Sequence, residues 1–131
     1  MDEEIQNSWE TQLPVKGSFQ NGDLFTEEEL KLMGRKRLVA RRAQREFPRG
    51  GYEGLDNLEL KILISTSALC PTTPGVVADD LGLDRSTVSR PLTNLLKKGL
   101  VSEEPDGKDG RRKLLSPTRD GAKMLKGYLA G

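Results

Sequence analysis

Residues 81–121 constrain this chain more than any other stretch. They read LGLDRSTVSRPLTNLLKKGLVSEEPDGKDGRRKLLSPTRDG. Val88, Leu92, Leu95 and Leu96 recur at helical spacing and must face a core. Asp84 suits the N-cap ahead of them, and Leu83 with Val88 can close a hydrophobic staple. Lys97 and Lys98 favour the last turn, and Gly99 supplies the stop. By elimination Arg85, Ser86, Ser89, Arg90, Thr93 and Lys97 point outward, and Thr87 is grouped with them. Pro91 removes the N–H that would bond the Thr87 carbonyl. An interior proline costs about 3 kcal/mol, so a kink or loosening is expected there.

The flanks of this helix complete a unit. Thr72 or Thr73 can cap a short helix that starts at Pro74, where a missing N–H costs nothing. Val77, Ala78 and Leu81 make its inner face, and Gly82 breaks it. A short helix, a tight glycine turn and a longer helix form a helix-turn-helix. After Gly99, residues 100–103 and 113–116 read as two short strands. PDGKDGRR joins them, with Gly107 and Gly110 permitting tight turns. Asp106 and Asp109, set among Lys108, Arg111 and Arg112, can hold that loop by ion pairing. The fold expected is mainly α with a small β-hairpin, a winged helix-turn-helix.

This arrangement suits duplex DNA. Arg grips guanine O6 and N7 with two hydrogen bonds, and Ser or Thr serves bases or phosphates. Helix 85–98 is therefore expected in the major groove, with Arg85, Ser86, Thr87, Ser89, Arg90, Thr93 and Lys97 as contacts. The wing, 104–113, is expected on the backbone or in the minor groove through Lys108, Arg111 and Arg112.

Composition narrows the alternatives. At 131 residues one domain is expected, and a hydrophobic fraction of 34% leaves some chain outside the core. No apolar run approaches the roughly 20 residues of a bilayer span. The start, MDEEIQNSWE, has no apolar signal core, so a cytoplasmic, nucleoid-associated protein is expected. The single cysteine, Cys70, has no internal disulfide partner and reads as a small, half-buried residue at a helix end. The chain contains no histidine, which removes the commonest general base and the usual zinc ligand. There is no phosphate-loop motif and no paired metal ligand set. Neither an enzyme nor a cofactor is expected.

The net charge of +1 conceals a polarity. Residues 1–29 hold eight acids against one lysine, and residues 30–50 hold six Arg and two Lys against Glu46 alone. Residues 1–25 show no period and read as a disordered acidic arm with scattered Trp9, Leu13 and Phe19. Thr26 and Glu29 form a capping box for a basic helix, 26–47, that ends before Pro48. Its arginines either contact phosphates or form a solvated or partner-packed face. PRGGYEG is a linker. Residues 55–69 form the first core helix, capped by Asp56 or Asn57, and open a winged-helix domain over 54–131.

The motifs converge on one family. Gly82-Leu83 through Thr87-Val88-Ser89-Arg90, then Lys98-Gly99-Leu100-Val101, Asp109-Gly110-Arg111 and Thr118-Arg119-Asp120-Gly121, resemble the MarR-type winged-helix regulators. The resemblance covers about residues 55–129. It implies a dimeric transcription factor, often a repressor, with Asp109 bracing the wing and Arg111 in its DNA-contacting part. Two features depart from the pattern. Pro117 stands where an aliphatic residue is usual, and Gly131 ends the chain one short helix past Thr118. Family members continue through long helices that build the dimer and a ligand pocket. No small-molecule effector is therefore expected. Dimerisation is expected through residues 26–47 or a last helix with Met124, Leu125, Tyr128 and Leu129. The partners expected are double-stranded DNA and a second copy of the chain, with no membrane. A competing reading uses the same fold as a protein-interaction module or a plasmid- or phage-type DNA-organising factor.

Overall fold

The structure, a computed structural model, describes residues 19–42 (side chains through Leu38), 51–108 and 110–131. In order, these form α1 Asn21–Leu24, α2 Glu27–Arg42, α3 Asn57–Leu69, α4 Pro74–Leu81, α5 Arg85–Lys97, β1 Val101–Pro105, β2 Lys113–Pro117 and α6 Arg119–Ala130. Helix α3 begins with a capping box: Asp56 accepts from the Glu59 amide at 2.7 Å, and Glu59 accepts from the Asp56 amide at 3.0 Å. Leu60, Ile62, Leu63, Ile64, Ser65, Thr66, Ser67 and Ala68 are all buried, and between them Lys61 alone is partly exposed, so α3 has almost no wet face over this stretch. A helix covered all round belongs at the centre of a fold. The other helices and β2 pack around it.

The two helices of the turn unit end the same way. Gly82 has φ 68°, and Leu83 N–H reaches the Ala78 carbonyl at 2.8 Å. Gly99 has φ 73°, and Leu100 N–H reaches the Leu95 carbonyl at 3.0 Å. Both are Schellman ends, in which glycine takes the left-handed conformation at little cost. Thr73 caps α4 by accepting from the Val76 amide at 3.3 Å. Asp84 precedes α5 in extended conformation but makes no side-chain capping bond. The expected cap is thus reduced to its backbone carbonyl, which accepts from Thr87 N–H at 3.0 Å. At Pro91, where a kink or loosening is expected, α5 runs unbroken as a helix with the ring buried. Lys98 is the C-cap rather than the last helical residue.

The hairpin pairs Val101 with Pro117 through Pro105 with Lys113, antiparallel and slightly longer than its sequence suggests. Thr72 adds a short third rung that the sequence did not reveal. It exchanges two backbone hydrogen bonds with Leu115, at 3.0 and 2.7 Å.

The disordered arm expected through residue 25 is corrected for residues 19–25. Phe19 N–H meets Ser116 Oγ at 3.2 Å, Asn21 Nδ2 donates to the Ala68 carbonyl at 2.7 Å, and Leu24 and Phe25 are buried. These contacts lie far away in sequence, where no local pattern can announce them. The expectations for residues 1–18, and for Phe47 as the end of the basic helix, lie outside the described residues.

Helix α2 opens with the expected capping box, Thr26 with Glu29. Met33 is fully buried and Leu30 packs beside the core, whereas Leu38 is 48% exposed. Not all of its basic side chains lie outward. Arg37 pairs with Asp80, and Lys36 sits over the Tyr128 ring at 4.7 Å. Glu29 also takes Lys126 Nζ at 2.8 Å, which ties α2 to α6. Cys70 is fully buried rather than half-buried, and burial pushes its thiol up to about 12.

Two contacts set testable limits on stability. A methyl group at Gly121 would overlap the Leu100 carbonyl oxygen, because α6 starts directly on the Gly99–Leu100 turn. Thr118 fixes that crossing by donating to the Gly99 carbonyl at 2.6 Å. Gly121→Ala should therefore lower stability by about 1–3 kcal/mol in urea denaturation, as overpacking does. A wild-type midpoint would mean that α6 can slide.

The second limit is acid. Burial works to raise the Glu59 carboxyl, but hydrogen bonds from the Asp56 amide, Lys98 and Asn94 outweigh it and hold it below its ordinary 4.5. For Glu29, burial again works upward and is outweighed by Lys126 and Thr26. Carboxyls lowered on folding contribute fully above their unfolded pKa and lose that contribution as pH falls through the folded value. Glu59→Gln should melt below wild type at neutral pH, yet lose less on acidification below pH 4.5. Parallel melting curves would refute this.

Candidate nucleic-acid interface

Arg85, Ser86, Thr87, Ser89, Arg90, Thr93 and Lys97 are all exposed on α5. Helical geometry sorts them further. At about 100° per residue, Ser86, Arg90, Thr93 and Lys97 form the ridge opposite the buried Val88, Pro91, Leu92 and Leu95. Arg85 and Ser89 lie on one flank, and Thr87 lies on the other. Thr93 Oγ1 donates back to the Ser89 carbonyl at 2.9 Å, so that hydroxyl offers an acceptor rather than a donor.

The flank of Arg85 opens into two grooves. One, of about 450 Å³, is lined by Thr73, Pro74 and Gly75 from the start of α4, and by Arg85, Arg111, Arg112 and Lys113. A methyl placed on Gly75 would sit 3.8 Å from Arg85 Nε, so this guanidinium lies against the first turn of α4. Three arginines, a lysine and the positive end of a helix dipole thus converge there. The other groove, of about 490 Å³, runs along α5 past Ser86, Ser89 and Thr93, and carries Glu103 of β1 on its far side. The interface is therefore cationic toward the wing and has one acid along the helix.

Asp106 braces the wing. Its Oδ1 accepts the Lys108 amide at 3.0 Å, and its Oδ2 lies 3.9 Å from Arg112 Nε. Asp106 N–H closes the loop on the Arg112 carbonyl at 3.0 Å. Lys108 is exposed at the tip but lines neither groove. Asp109, expected to share this role, lies outside the described residues. Lys98 turns inward instead: its Nζ donates to Glu59 at 3.0 Å and to the Gly54 carbonyl at 3.1 Å, anchoring the end of α5 to the start of α3.

The structure thus joins Arg85 to Arg111 and Arg112 across the groove and leaves Arg90 on the ridge. Sequence reasoning missed Gly75, Lys113 and Glu103. Lys113 and Glu103 were legible as polar strand residues, but only the hairpin register sets them beside α5. Gly75 had no signal, since a glycine in a first helical turn is ordinary. Among the described residues, no helix is long and apolar enough to cross a membrane.

Comparison with known proteins agrees with this geometry. Residues 54–112 match a family model described as MarR family. No curated protein matches the chain. Solved structures do. A probable transcriptional regulator from Pseudomonas aeruginosa is 22% identical, with 85% of this chain and 76% of that chain covered and a TM-score of 0.55. A mutant MarR from E. coli, crystallised with operator DNA, is 21% identical, with 80% and 67% covered and a TM-score of 0.55. The transcriptional regulator BldR from Sulfolobus solfataricus is 28% identical, with 79% and 76% covered and a TM-score of 0.57. With its helix-turn-helix and its braced wing, this chain has the winged-helix fold, and its residues 54–112 are similar to the MarR family.

Proposed function

We propose that the chain binds double-stranded DNA sequence-specifically and represses transcription by occupying its operator. Helix α5 enters the major groove, and the wing, 104–113, tracks the backbone or the minor groove. One observation carries this reading: the exposed ridge of α5 is continuous, through Arg85, with a groove lined by Arg111, Arg112 and Lys113. A phosphodiester strand needs such a cationic channel beside a reading helix. The operator-DNA complex of the E. coli MarR mutant supports it by likeness of fold.

The residues divide by position. Arg90 stands mid-ridge and reads a base edge, with Ser86, Ser89 and Thr93 beside it. Arg85 lies back against α4 with the wing arginines and holds a phosphate. Thr87, Lys97 and Lys108 reach the backbone from the ends of the surface. The reading unit extends beyond the expected 54–131, because α2 shares its core through Met33. Two copies meet through α2, which carries the exposed Leu38, and place their α5 helices on half-sites about one DNA turn apart.

Duplexes selected from a random pool supply the test. Arg90→Ala should cost about 1–3 kcal/mol on the selected site and less on random DNA. Equal losses on both would reduce Arg90 to a phosphate contact. Arg85→Ala and Arg111→Ala should each flatten the log–log salt dependence by about one unit. An unchanged slope in both variants would take the groove off the DNA.

A further inference from the structure

Helix α2 meets the helix-turn-helix through a charged pair. Arg37 holds Asp80 with two hydrogen bonds, Nε to Oδ2 at 2.9 Å and Nη2 to Oδ1 at 2.6 Å. Ser65 Oγ donates to the same Oδ2 at 2.7 Å, which brings α3 into the junction. The two side chains of the pair are only 22% and 19% exposed. Asp80 is the penultimate residue of α4, two before the Gly82 turn, so the junction sits at the root of the reading unit.

Apolar packing at this contact is thin. A cavity of about 150 Å³ is lined by Gly34, Arg37, Leu38 and Asp80. A methyl group on Gly34 would find nothing within 4 Å. The firm anchors of α2 lie elsewhere, in Met33, the Glu29–Lys126 pair and Lys36 over Tyr128. Loss of the Arg37–Asp80 pair would leave α2 attached to α6 and the core, but loosen it from α4. A half-buried ion pair adds little net stability, because desolvation offsets attraction, yet it can select one geometry. A planar, two-bonded guanidinium does so more strictly than an ammonium.

We infer that Arg37 is a positioning residue for DNA reading. Through Asp80 it fixes the angle between α2 and the α4–α5 unit. In the dimer it thereby sets the separation of the two reading helices. This rests on the dimeric reading above. One base pair moves a half-site by about 3.4 Å along the axis, a displacement that a fixed junction resists and a loose one absorbs.

The test uses full-length protein and the duplexes that the wild type selects from a random pool. Their central spacer is lengthened or shortened by one base pair, and a single half-site is measured alongside. The wild type should lose about tenfold or more in affinity on either change of spacer, as for a mismatched base pair. In Arg37→Gln that discrimination should shrink to below about threefold, with half-site affinity within about twofold of wild type. Full discrimination in Arg37→Gln would overturn the inference while leaving the dimeric reading intact. A wild type indifferent to spacing would overturn both. Should Arg37→Gln fail to fold, as judged by circular dichroism, Asp80→Asn decides by the same measurements, because it weakens the pair and retains an acceptor for Ser65.

Discussion

Helix α3 surrenders almost its whole circumference to neighbours, and that constraint organises the molecule. Each packed element must bring an apolar side to it, as Met33, Val77, Leu95 and Leu125 do. Two polar groups on α3 draw on those same neighbours, whereas the buried Thr66 and Ser67 hydroxyl oxygens find no hydrogen-bond partner among the described residues. Ser65 is satisfied at Asp80, near the end of α4. Glu59 is satisfied at Lys98, at the end of α5. Both helices of the helix-turn-helix are therefore pinned to the central helix by polar contacts, each close to the helix's C-terminal end. Burial of Glu59 is tolerable only because the Asp56 amide and Lys98 meet its carboxylate.

The near-neutral net charge says little, because the cations have been divided by position. Lys36, Arg37, Lys98 and Lys126 face inward partners and hold the body together. Arg85, Arg111, Arg112 and Lys113 line one open groove. Electrostatic steering depends on such local fields rather than on the sum. Glu103 sharpens the division. Its carboxylate lies across the groove that runs along α5, where it disfavours a phosphate.

What the sequence made legible was local. The apolar spacing of α5, the stops at Gly82 and Gly99 and the turn chemistry of the wing all act within a few residues. Those elements stand where their residues imply. Long-range partners were not legible. Nothing near Phe19 signals that Ser116 will hold it, and nothing near Thr72 signals a rung with Leu115. Asp84 looked like a capping residue, but its side chain makes no cap, while the apolar Leu83 and Val88 join the core. At the candidate interface, the outward residues of α5 followed from elimination alone. Their division into a ridge and a flank with the wing required the register of β1 and β2.

The anchoring of α5 is unequal along its length, and this bears on the proposed reading of DNA. Its C-terminal end has a Schellman turn and the Lys98–Glu59 bond. Its N-terminal end, where Arg85 and Ser86 stand, lacks a side-chain cap and depends on the placement of α4 just before it. The helix has 13 residues, so it is roughly 20 Å long. A tilt of about 10° at one end would carry the other by roughly 3.5 Å, close to the rise of one base pair. If α5 reads bases as proposed, a small angular error at the root of the turn unit is amplified into a full misregister there. Apolar contacts, which are non-directional, resist such a tilt poorly. The Arg37–Asp80–Ser65 junction is directional, lies at that root and draws on two other helices, which is the kind of restraint the proposed reading role of α5 requires.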